Sequence, residues 1–292
     1  NFSANMAFNR NRIGGLDGDQ YATALWSKAD QVVLQRNGCP IGTLYGYVED
    51  GFYDNISEVR SNKAYAALSD AEALRHVGEI KYRDLNGDGQ ITQDDRTIIG
   101  NTNPDFTYSM THNISYKDFS LSFMLQGSQG NDIFNYNLTD VTMSNIGNIP
   151  VDAYDHRWTQ ERVLNGSPIE WPKATAGYTR TWLVSDRYVE NGSYLKMKYI
   201  TLGYDWRKPL NGIENIHFSL TANNLFTITD YSWFDPDVNA GGSNAACPGV
   251  DSYSYPSARS FAFGSNILFM DEPFNSLDIP TKKNIILMLN SM

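Results

Sequence analysis

Hydrophobic and polar residues alternate along two neighbouring runs in the middle of the chain. In the run 106–116 one parity is mostly aromatic or aliphatic and the other is Thr, Ser or Asn, and the run 119–126 repeats the alternation after Lys117 and Asp118. Period-two alternation over two runs joined by a two-residue turn predicts an antiparallel β-hairpin. The side chains predicted to share its apolar face are Phe106, Tyr108, Met110, His112, Ile114, Tyr116, Phe119, Leu121, Phe123 and Leu125.

Four further segments alternate in the same way, and they are long for strands. They cover residues 1–13, 194–206, 215–228 and 257–269. Strands of soluble proteins usually have about five or six residues. The polar faces here are mostly Ser, Thr and Asn, which suit a water-filled or plugged interior. Aromatic residues gather at the ends of the apolar faces, as in the girdles of a membrane protein.

Long strands with short turns on one side and long loops on the other predict the fold class. This class is all-β, an antiparallel transmembrane β-barrel with long extracellular loops. Because lipid cannot satisfy the hydrogen bonds of an open sheet edge, such a sheet must close. The alternative is a soluble β-sandwich with its apolar side chains inside. The sequence contains no run of 18 apolar residues, so it predicts no membrane-spanning helix.

Two long connections lack periodicity and are predicted to be loops. They cover 130–186 and 231–258, and short helices are predicted within 57–76 and near 153–159. Loops of this length usually carry function or fill space inside a fold. Aromatic side chains in them can stack on sugar rings or pack within the loops, and both interpretations stay open. These aromatic residues are Trp171, Trp182, Trp233 and Tyr253.

Composition argues against several classes of function. The 292 residues carry a net charge of −10 at a pI of about 4.8 without a cluster of Lys and Arg, so no nucleic-acid partner is expected. Cys39 and Cys247 are expected to be unpaired thiols, with a disulfide as the alternative. The sequence shows no catalytic motif, so the chain is not expected to be an enzyme and no catalytic residue is assigned. Asp235 and Asp237 are expected to form a turn.

The stretch "YRDLNGDGQITQDD" at 82–95 is similar to a calcium-binding loop. Oxygen ligands at positions one, three, five, seven, nine and twelve, with Gly at six, allow a short loop to surround a hard cation. The preceding segment is strand-like and no full helix follows, so a structural Ca²⁺ is expected rather than a calcium sensor. The alternative is a loop ordered without metal by Asx turns. The candidate ligands are Asp84, Asn86, Asp88, Gln90 through its carbonyl, Thr92 and Asp95, with Asp94 able to replace Asp95.

Several segments, taken in order, resemble the C-terminal part of the SusC/RagA-type TonB-dependent outer-membrane transporters. Their order and spacing make the resemblance specific, and it covers residues 1–269. The segments are "GTLYGYVEDGFY", "GEIKYRDLNGDGQITQDDRTIIGNTNPDFTYSM", "LSFMLQGSQGNDIFN", "YVENGSYLKMKYITLGYDW", "LTANNLFTITDYSWFDPDVN" and "YPSARSFAFGSNILF".

The resemblance implies a partial barrel, made of the C-terminal strands, in the cell outer membrane. It implies the import of large nutrients, and an oligosaccharide or peptide as substrate. It also implies three partners: a SusD-like surface lipoprotein, a TonB complex that acts through an N-terminal plug, and outer-membrane lipid. The sequence starts at Asn1 with no signal peptide, TonB box or plug, so the chain is expected to be a fragment that does not transport alone.

The segment 270–292 departs from this family, whose barrels commonly finish on an aromatic residue such as Phe269. The tail resembles the Walker B and D-loop segment of ABC-type ATPases, in which Asp271 and Glu272 would act on magnesium and water. No phosphate-binding loop occurs in the sequence, so no nucleotide is expected. We therefore expect a transporter portion at 1–269 and an extraneous helical tail from a hybrid or mis-joined reading frame, with an amphipathic tail packed on the barrel as the alternative.

Two alternative functions come from other classes of protein. The first is a soluble, calcium-stabilised surface β-domain that binds glycans, and such a domain would stay monodisperse without detergent. The second is an ATPase fragment, which would have to bind nucleotide. The transporter hypothesis differs from both because it requires the apolar faces of the long strands to meet hydrocarbon.

Overall fold

A computed structural model describes residues 1–22, 31–139, 148–174, 183–210, 212–238 and 246–269. The tail at 270–292, with its ATPase-like segment, lies outside the described residues, as does Trp182. The strands are β1 (Phe2–Ala7), β2 (Gln20–Ala22), β3 (Val33–Gln35), β4 (Thr43–Gly46), β5 (Glu49–Phe52), β6 (Ile80–Tyr82), β7 (Thr97–Asn101), β8 (Phe106–Tyr116), β9 (Phe119–Gln129), β10 (Asp132–Asn135), β11 (Val189–Asn191), β12 (Tyr194–Leu210), β13 (Ile213–Asn223), β14 (Thr227–Thr229), β15 (Val250–Asp251) and β16 (Ser260–Phe269).

The helical elements are short and lie between the strands. Ser69 begins one of them with a capping box, in which its side chain and that of Glu72 each accept a hydrogen bond from the other's backbone N–H. None of the described helices is long and apolar enough to cross a membrane. The α-helices are α1 (Ile56–Ser61), α2 (Asp70–His76), α3 (Val151–Asp155) and α4 (Gln160–Asn165), and the 3-10 turns are Lys63–Tyr65, Gln93–Asp95 and Asp186–Tyr188.

The long strands form one seven-stranded antiparallel sheet. Its order is β1-β8-β9-β12-β13-β16, and β14 pairs with the start of β12. The predicted hairpin is confirmed, because β8 and β9 pair without a register shift from Phe106 opposite Gln129 to Tyr116 opposite Phe119. Lys117 completes the tight turn with a positive φ of 53°. One row of facing residues crosses five strands: Ile114, Leu121, Leu202, Leu220 and Phe263.

The buried core of the described residues lies in the loop region and not under the long strands. Three smaller sheets form there, β2-β3-β4-β7, β11-β10-β15 and β5-β6. One apolar cluster includes Leu44, Phe134 and Tyr188 from these sheets and the turn beside them. A second cluster packs α1 and α2 against Trp158 and Tyr53. The loops therefore fold around cores of their own, and the seven-stranded sheet contributes little to either core.

Some sequence expectations need correction. The segment 57–76 does form two short helices, but the helix expected near 153–159 ends at Asp155. His156 is its C-cap, and Thr159 is the N-cap of α4, where it accepts a hydrogen bond from the Arg162 N–H. Residues in the supposedly irregular connection form β10, which pairs with β11 and, in parallel, with β15. Such short pairings leave no periodicity in the sequence.

The close contact at Gly46 gives a test of the loop core. A Cβ added to Gly46 would lie 2.3 Å from the Val184 carbonyl oxygen, which accepts a 2.8 Å hydrogen bond from the Tyr47 N–H. We expect Gly46→Ala to push β4 away, to lower the free energy of unfolding by about 1–3 kcal/mol and to speed hydrogen exchange at Tyr47. Gly14→Ala is the control, because nothing lies within 4 Å of its Cβ position. Equal exchange rates in both variants would contradict this close contact between β4 and Val184.

Candidate functional site

One face of the seven-stranded sheet is apolar and remains uncovered. Phe119, Leu202 and Phe263 point to this face and are 62%, 54% and 71% exposed. Neither apolar cluster of the described residues includes them. A surface of this size and regularity is costly in water. The face therefore requires an apolar environment, and none of Phe106, Tyr108, Phe119 and Leu121 is buried in a sealed interior.

The opposite face of the same sheet carries small and polar side chains. The hydroxyl oxygens of Thr201 and Thr221 lie 2.9 Å apart on neighbouring strands. Asp205 accepts a 2.7 Å hydrogen bond from Asn215, and His217 Nδ1 lies 2.9 Å from the same carboxylate oxygen. The polar side chains thus satisfy one another along the sheet. The two strand histidines lie on different faces: His217 contacts Asp205 on the polar face, whereas His112 packs edge-on against the Phe2 ring on the apolar face.

The predicted cation ligands lie together in one loop, 84–95, between β6 and β7. Asp84 accepts hydrogen bonds from the Gly87 and Gly89 N–H groups, each at 2.7 Å. Asn86 accepts one from the Asp88 N–H at 2.8 Å, and Asp88 accepts one from the Gln90 N–H at 2.7 Å. These are the Asx-turn contacts expected of a loop that is ordered without metal. Each carboxylate oxygen of Asp84 and Asp88 keeps a second lone pair, so these contacts also leave acceptor capacity for a cation.

Asp95 closes this loop from its far end. The carboxylate is fully buried and accepts hydrogen bonds from the Leu85 N–H at 2.9 Å and the Thr92 N–H at 2.7 Å. Burial alone raises the pKa of Asp95, but these backbone N–H groups outweigh it and hold the pKa below its usual value. Asp95 therefore stays ionised and joins the two ends of the loop.

The loop retains negative charge on its side chains. Within the described ranges, none of Asp84, Asp88, Asp94 and Asp95 forms an ion pair with Lys or Arg. Lys63 donates to the Asp88 carbonyl oxygen instead of a carboxylate. The arrangement suits a hard divalent cation held by oxygen atoms.

A buried ion pair attaches the second long loop to the sheet. Lys196 of β12 is 1% exposed, and its Nζ lies 2.7 Å from Asp235 Oδ1. Asp235 also accepts hydrogen bonds from the Asp237 N–H at 3.0 Å and the Ser257 N–H at 3.1 Å. Burial raises the pKa of Asp235, but Lys196 and these backbone groups lower it by more. The pKa of Asp235 therefore lies below its usual value. Asp235 therefore joins the loop to β12 in addition to shaping the turn expected from the sequence.

A polar cavity of about 360 Å³ opens in the loop region. On one side Arg187 Nη1 contacts both carboxylate oxygens of Glu49, at 2.6 and 2.7 Å. Burial raises the pKa of Glu49 despite this ion pair. The Trp171 ring and Glu190 also line the cavity, and the Arg187 guanidinium lies 5.4 Å from the centroid of the Trp171 ring. A cavity of this size with one aromatic wall and several acceptors suits part of a polar ligand.

Sequence reasoning missed the charged residues that hold the loops. Lys196 lies in the alternating segment 194–206, between Leu195 and Met197. A Lys at such a position is seldom fully buried without a partner, so it could have signalled a distant carboxylate. Arg187 and Glu49 gave no local signal, because 138 residues separate them.

Comparison with known proteins shows which class of protein this chain is similar to. No family model matches it. It is 30% identical over 246 residues to the TonB-dependent receptor P3 of Formosa agariphila, an alignment that covers 82% of the chain and 23% of the relative. It is 27% identical over 277 residues to the TonB-dependent receptor SusC of Bacteroides thetaiotaomicron, covering 91% of the chain and 24% of SusC. The chain thus spans only a minor part of the length of these relatives.

Solved structures agree with this similarity at the level of fold. The RagAB peptide transporter matches with a TM-score of 0.64 at 20% identity, over 91% of this chain and 27% of that one. The RagAB peptide importer in its open-open state matches with a TM-score of 0.63 over 92% of this chain and 26% of that one. The fold class is therefore confirmed as all-β and antiparallel, with the architecture of part of a transporter barrel. Division of the sequence into 1–269 and 270–292 stays a prediction.

The contribution of the Lys196–Asp235 ion pair to stability can be tested by removing the charge of one partner and then of both. We expect Asp235→Asn to leave a buried, uncompensated ammonium group and to destabilise the loop by about 3–5 kcal/mol, measured by hydrogen exchange of the Ser257 amide. The added substitution Lys196→Met should restore most of this loss. Because the pKa of Asp235 is lowered, the stabilisation is present above about pH 4 and is lost as the pH falls below that value.

Asp237→Asn is the matched control for this test. Its carboxylate lies 3.6 Å from Lys196 Nζ, but its side chain is 43% exposed. We expect its effect to be at most about 1 kcal/mol. Equal effects of Asp235→Asn and Asp237→Asn would show that burial of the pair does not stabilise the loop.

Proposed function

We propose that this chain is the barrel portion of an outer-membrane importer of large nutrients, of the SusC/RagA type. The observation that carries the proposal is the uncovered apolar face of the seven-stranded sheet. In this arrangement Phe119, Leu202 and Phe263 contact lipid, and the Thr201 and Thr221 face lines the interior. Similarity to TonB-dependent receptors over most of the chain supports the same function.

The proposal includes strands and partners that lie outside this chain. Within the described residues β1 and β16 are the two ends of the strand order, so each offers one free edge for pairing. In a barrel these edges pair with further strands, because lipid cannot form hydrogen bonds with the backbone groups of an open edge. The whole transporter would work with a SusD-like surface lipoprotein over the loops and a TonB complex that supplies energy.

The substrate of this importer is a glycan or a peptide. The cavity lined by Trp171, Arg187 and Glu190 supports contact with a polar polymer, because an aromatic ring and fixed hydrogen-bonding groups suit both classes. RagAB is a peptide transporter, so a peptide is one candidate. Binding assays with oligosaccharides and short peptides would separate the two.

The proposal also assigns a structural Ca²⁺ to the 84–95 loop. Within the described residues the Asp84 and Asp88 carboxylates have no Lys or Arg partner and keep acceptor capacity, which supports this ion. Asp84, Asn86 and Asp88 would supply side-chain oxygen atoms, Gln90 its carbonyl oxygen and Asp95 the closing carboxylate, with Thr92 at the ninth position. The ion would stiffen a loop next to the apolar cluster of α1 and α2.

Charged substitutions on neighbouring residues test which face meets lipid. Leu121 and Ser122 follow each other along β9 and point to opposite faces of the sheet. We expect Leu121→Lys to lower the free energy of unfolding in lipid vesicles by up to about 2–4 kcal/mol, because it places a charge in hydrocarbon. Ser122→Lys should have little effect, since its side chain would reach the polar interior.

Detergent dependence separates this proposal from a soluble glycan-binding β-domain. The purified chain should aggregate without detergent or lipid and become monodisperse with either, as measured by light scattering. Monodisperse behaviour in plain buffer, together with a larger effect of Ser122→Lys than of Leu121→Lys, would favour the soluble domain and reject the importer.

Metal removal tests the Ca²⁺ assignment separately. We expect a chelator to lower the melting temperature of the protein, because the carboxylates of the 84–95 loop then repel each other without a counter-ion. The double variant Asp84→Ala and Asp88→Ala should remove this sensitivity. Asp17→Ala, in a different Gly-rich loop, should keep it. A melting temperature that does not respond to the chelator would favour the metal-free Asx loop.

A further inference from the structure

Three metal-binding side chains meet in the loop region, away from the 84–95 loop. Asp152 lies in α3, His156 follows the helix directly, and Glu170 comes from a separate extended segment. One ligand atom from each of the three lies within 4.8 Å of those from the other two. In the part of the chain that the structure describes, this is the one group of three His, Cys, Asp or Glu side chains that meets in this way.

The main chain holds the third side chain against the other two. The backbone N–H groups of Glu170 and Trp171 both donate to the His156 carbonyl oxygen, at 2.9 and 3.2 Å. The Trp158 N–H donates to the Trp171 carbonyl oxygen at 2.7 Å. Because these contacts involve only backbone atoms, the three ligands are brought together before any ion binds, which lowers the cost of ordering them.

The side-chain geometry already resembles part of a coordination sphere. His156 Nδ1 lies 2.8 Å from Asp152 Oδ1, and the other Asp152 oxygen accepts a 3.3 Å hydrogen bond from Trp171 Nε1. Two ligand atoms bound to one tetrahedral ion at about 2.0–2.1 Å lie roughly 3.3 Å apart. The pair therefore needs to open by only a fraction of an ångström to admit an ion.

The cluster also lacks a cation of its own. Among the described residues, the Asp152 carboxylate pairs only with His156, and the Glu170 carboxylate forms no ion pair with Lys or Arg. Arg187 is close, but its guanidinium donates to the Glu170 carbonyl oxygen and its other nitrogen binds Glu49. Two carboxylates thus remain uncompensated around one imidazole, which favours a divalent cation.

We propose that Asp152, His156 and Glu170 bind a divalent transition-metal ion of the zinc type. An imidazole nitrogen beside two carboxylate oxygens matches the ligands of Zn²⁺, whereas Ca²⁺ takes oxygen ligands only. Three protein ligands leave a coordination position for water. The ion joins α3 to the 168–174 segment and so fixes Trp171 in the lining of the polar cavity. The site is independent of the import proposal, because it depends only on these loop residues.

Cobalt titration of the purified, detergent-solubilised chain tests the site. Excess Ca²⁺ is present throughout to occupy oxygen-only sites. We expect Co²⁺ to bind as a single equivalent with d–d absorbance, and Zn²⁺ to displace it. Loss of an outer-shell partner typically lowers metal affinity about 10–100-fold, so His156→Ala and Glu170→Gln should each lower the affinity at least about tenfold. Glu170→Gln keeps the backbone contacts, so its effect does not depend on misfolding.

Two variants serve as matched controls. His76 lies 2.7 Å from Glu79, a pair similar to His156 and Asp152 but without a third ligand, so His76→Ala should leave the affinity unchanged. Asp155→Asn removes one charge from the same helix outside the cluster and should also leave it unchanged. If His76→Ala lowered cobalt affinity as much as His156→Ala, the site assignment would be wrong.

Tryptophan fluorescence measures metal binding at this cluster specifically. Trp171 contacts Asp152, so bound Co²⁺ should quench its emission. Trp171→Phe should remove most of the quenching. Zn²⁺ should still displace Co²⁺ from this variant over the same concentration range as from the unsubstituted chain. The proposal is overturned if no saturable Co²⁺ binding occurs, or if saturable binding survives both His156→Ala and Glu170→Gln.

Discussion

The seven-stranded sheet depends on one constraint: no second layer of the described chain covers its apolar face. In a soluble sheet the apolar face is buried under a second layer, and the polar face meets water. Here the apolar face is exposed, and the two buried clusters of described residues lie among the loops. The polar face also carries mutually hydrogen-bonded pairs such as Thr201 with Thr221. Both faces are consistent with a sheet that separates hydrocarbon from an aqueous interior.

The loop region is held together differently from the sheet, because its apolar clusters are small. Its sheets have only short strands, and α1 to α4 have only one or two turns. Buried charge pairs then fix the relative positions of segments that apolar packing alone would leave loosely defined. Lys196 with Asp235 joins a loop to β12, and Arg187 with Glu49 joins two distant segments beside the polar cavity. Such pairs add little net stability but strongly penalise other arrangements of the loops.

Two cation sites are proposed in these loops, and their chemistry differs. The 84–95 loop offers only oxygen atoms from one continuous segment, so it suits a hard ion. The cluster of Asp152, His156 and Glu170 combines an imidazole with carboxylates from two segments, so it suits a softer ion. Both would stiffen loops that surround the entrance of the proposed importer. Import requires loops that are ordered enough to hold a substrate, yet their own cores are small, and bound ions would supply part of that order.

The sequence by itself determined the parts of this protein that are local. Period-two alternation predicted β8, β9, β13 and β16 and the face to which each side chain points, because side-chain direction in a strand depends only on parity. The spacing of Asp84, Asn86 and Asp88 likewise placed these residues in one tight loop. The order of segments led to the resemblance to TonB-dependent transporters, and the curated relatives that the chain matches are TonB-dependent receptors.

Tertiary structure alone decided the contacts between distant segments. The pairing of β10 with β15 joins residues more than a hundred positions apart, and Lys196 meets Asp235 across 39 positions. Glu170 reaches His156 only because an extended segment returns along the end of α3. No periodicity encodes such contacts, since each depends on how the intervening chain folds. For this reason the sheet and its two faces could be predicted from the sequence, whereas the loop cores, the buried ion pairs and the His156 cluster could not.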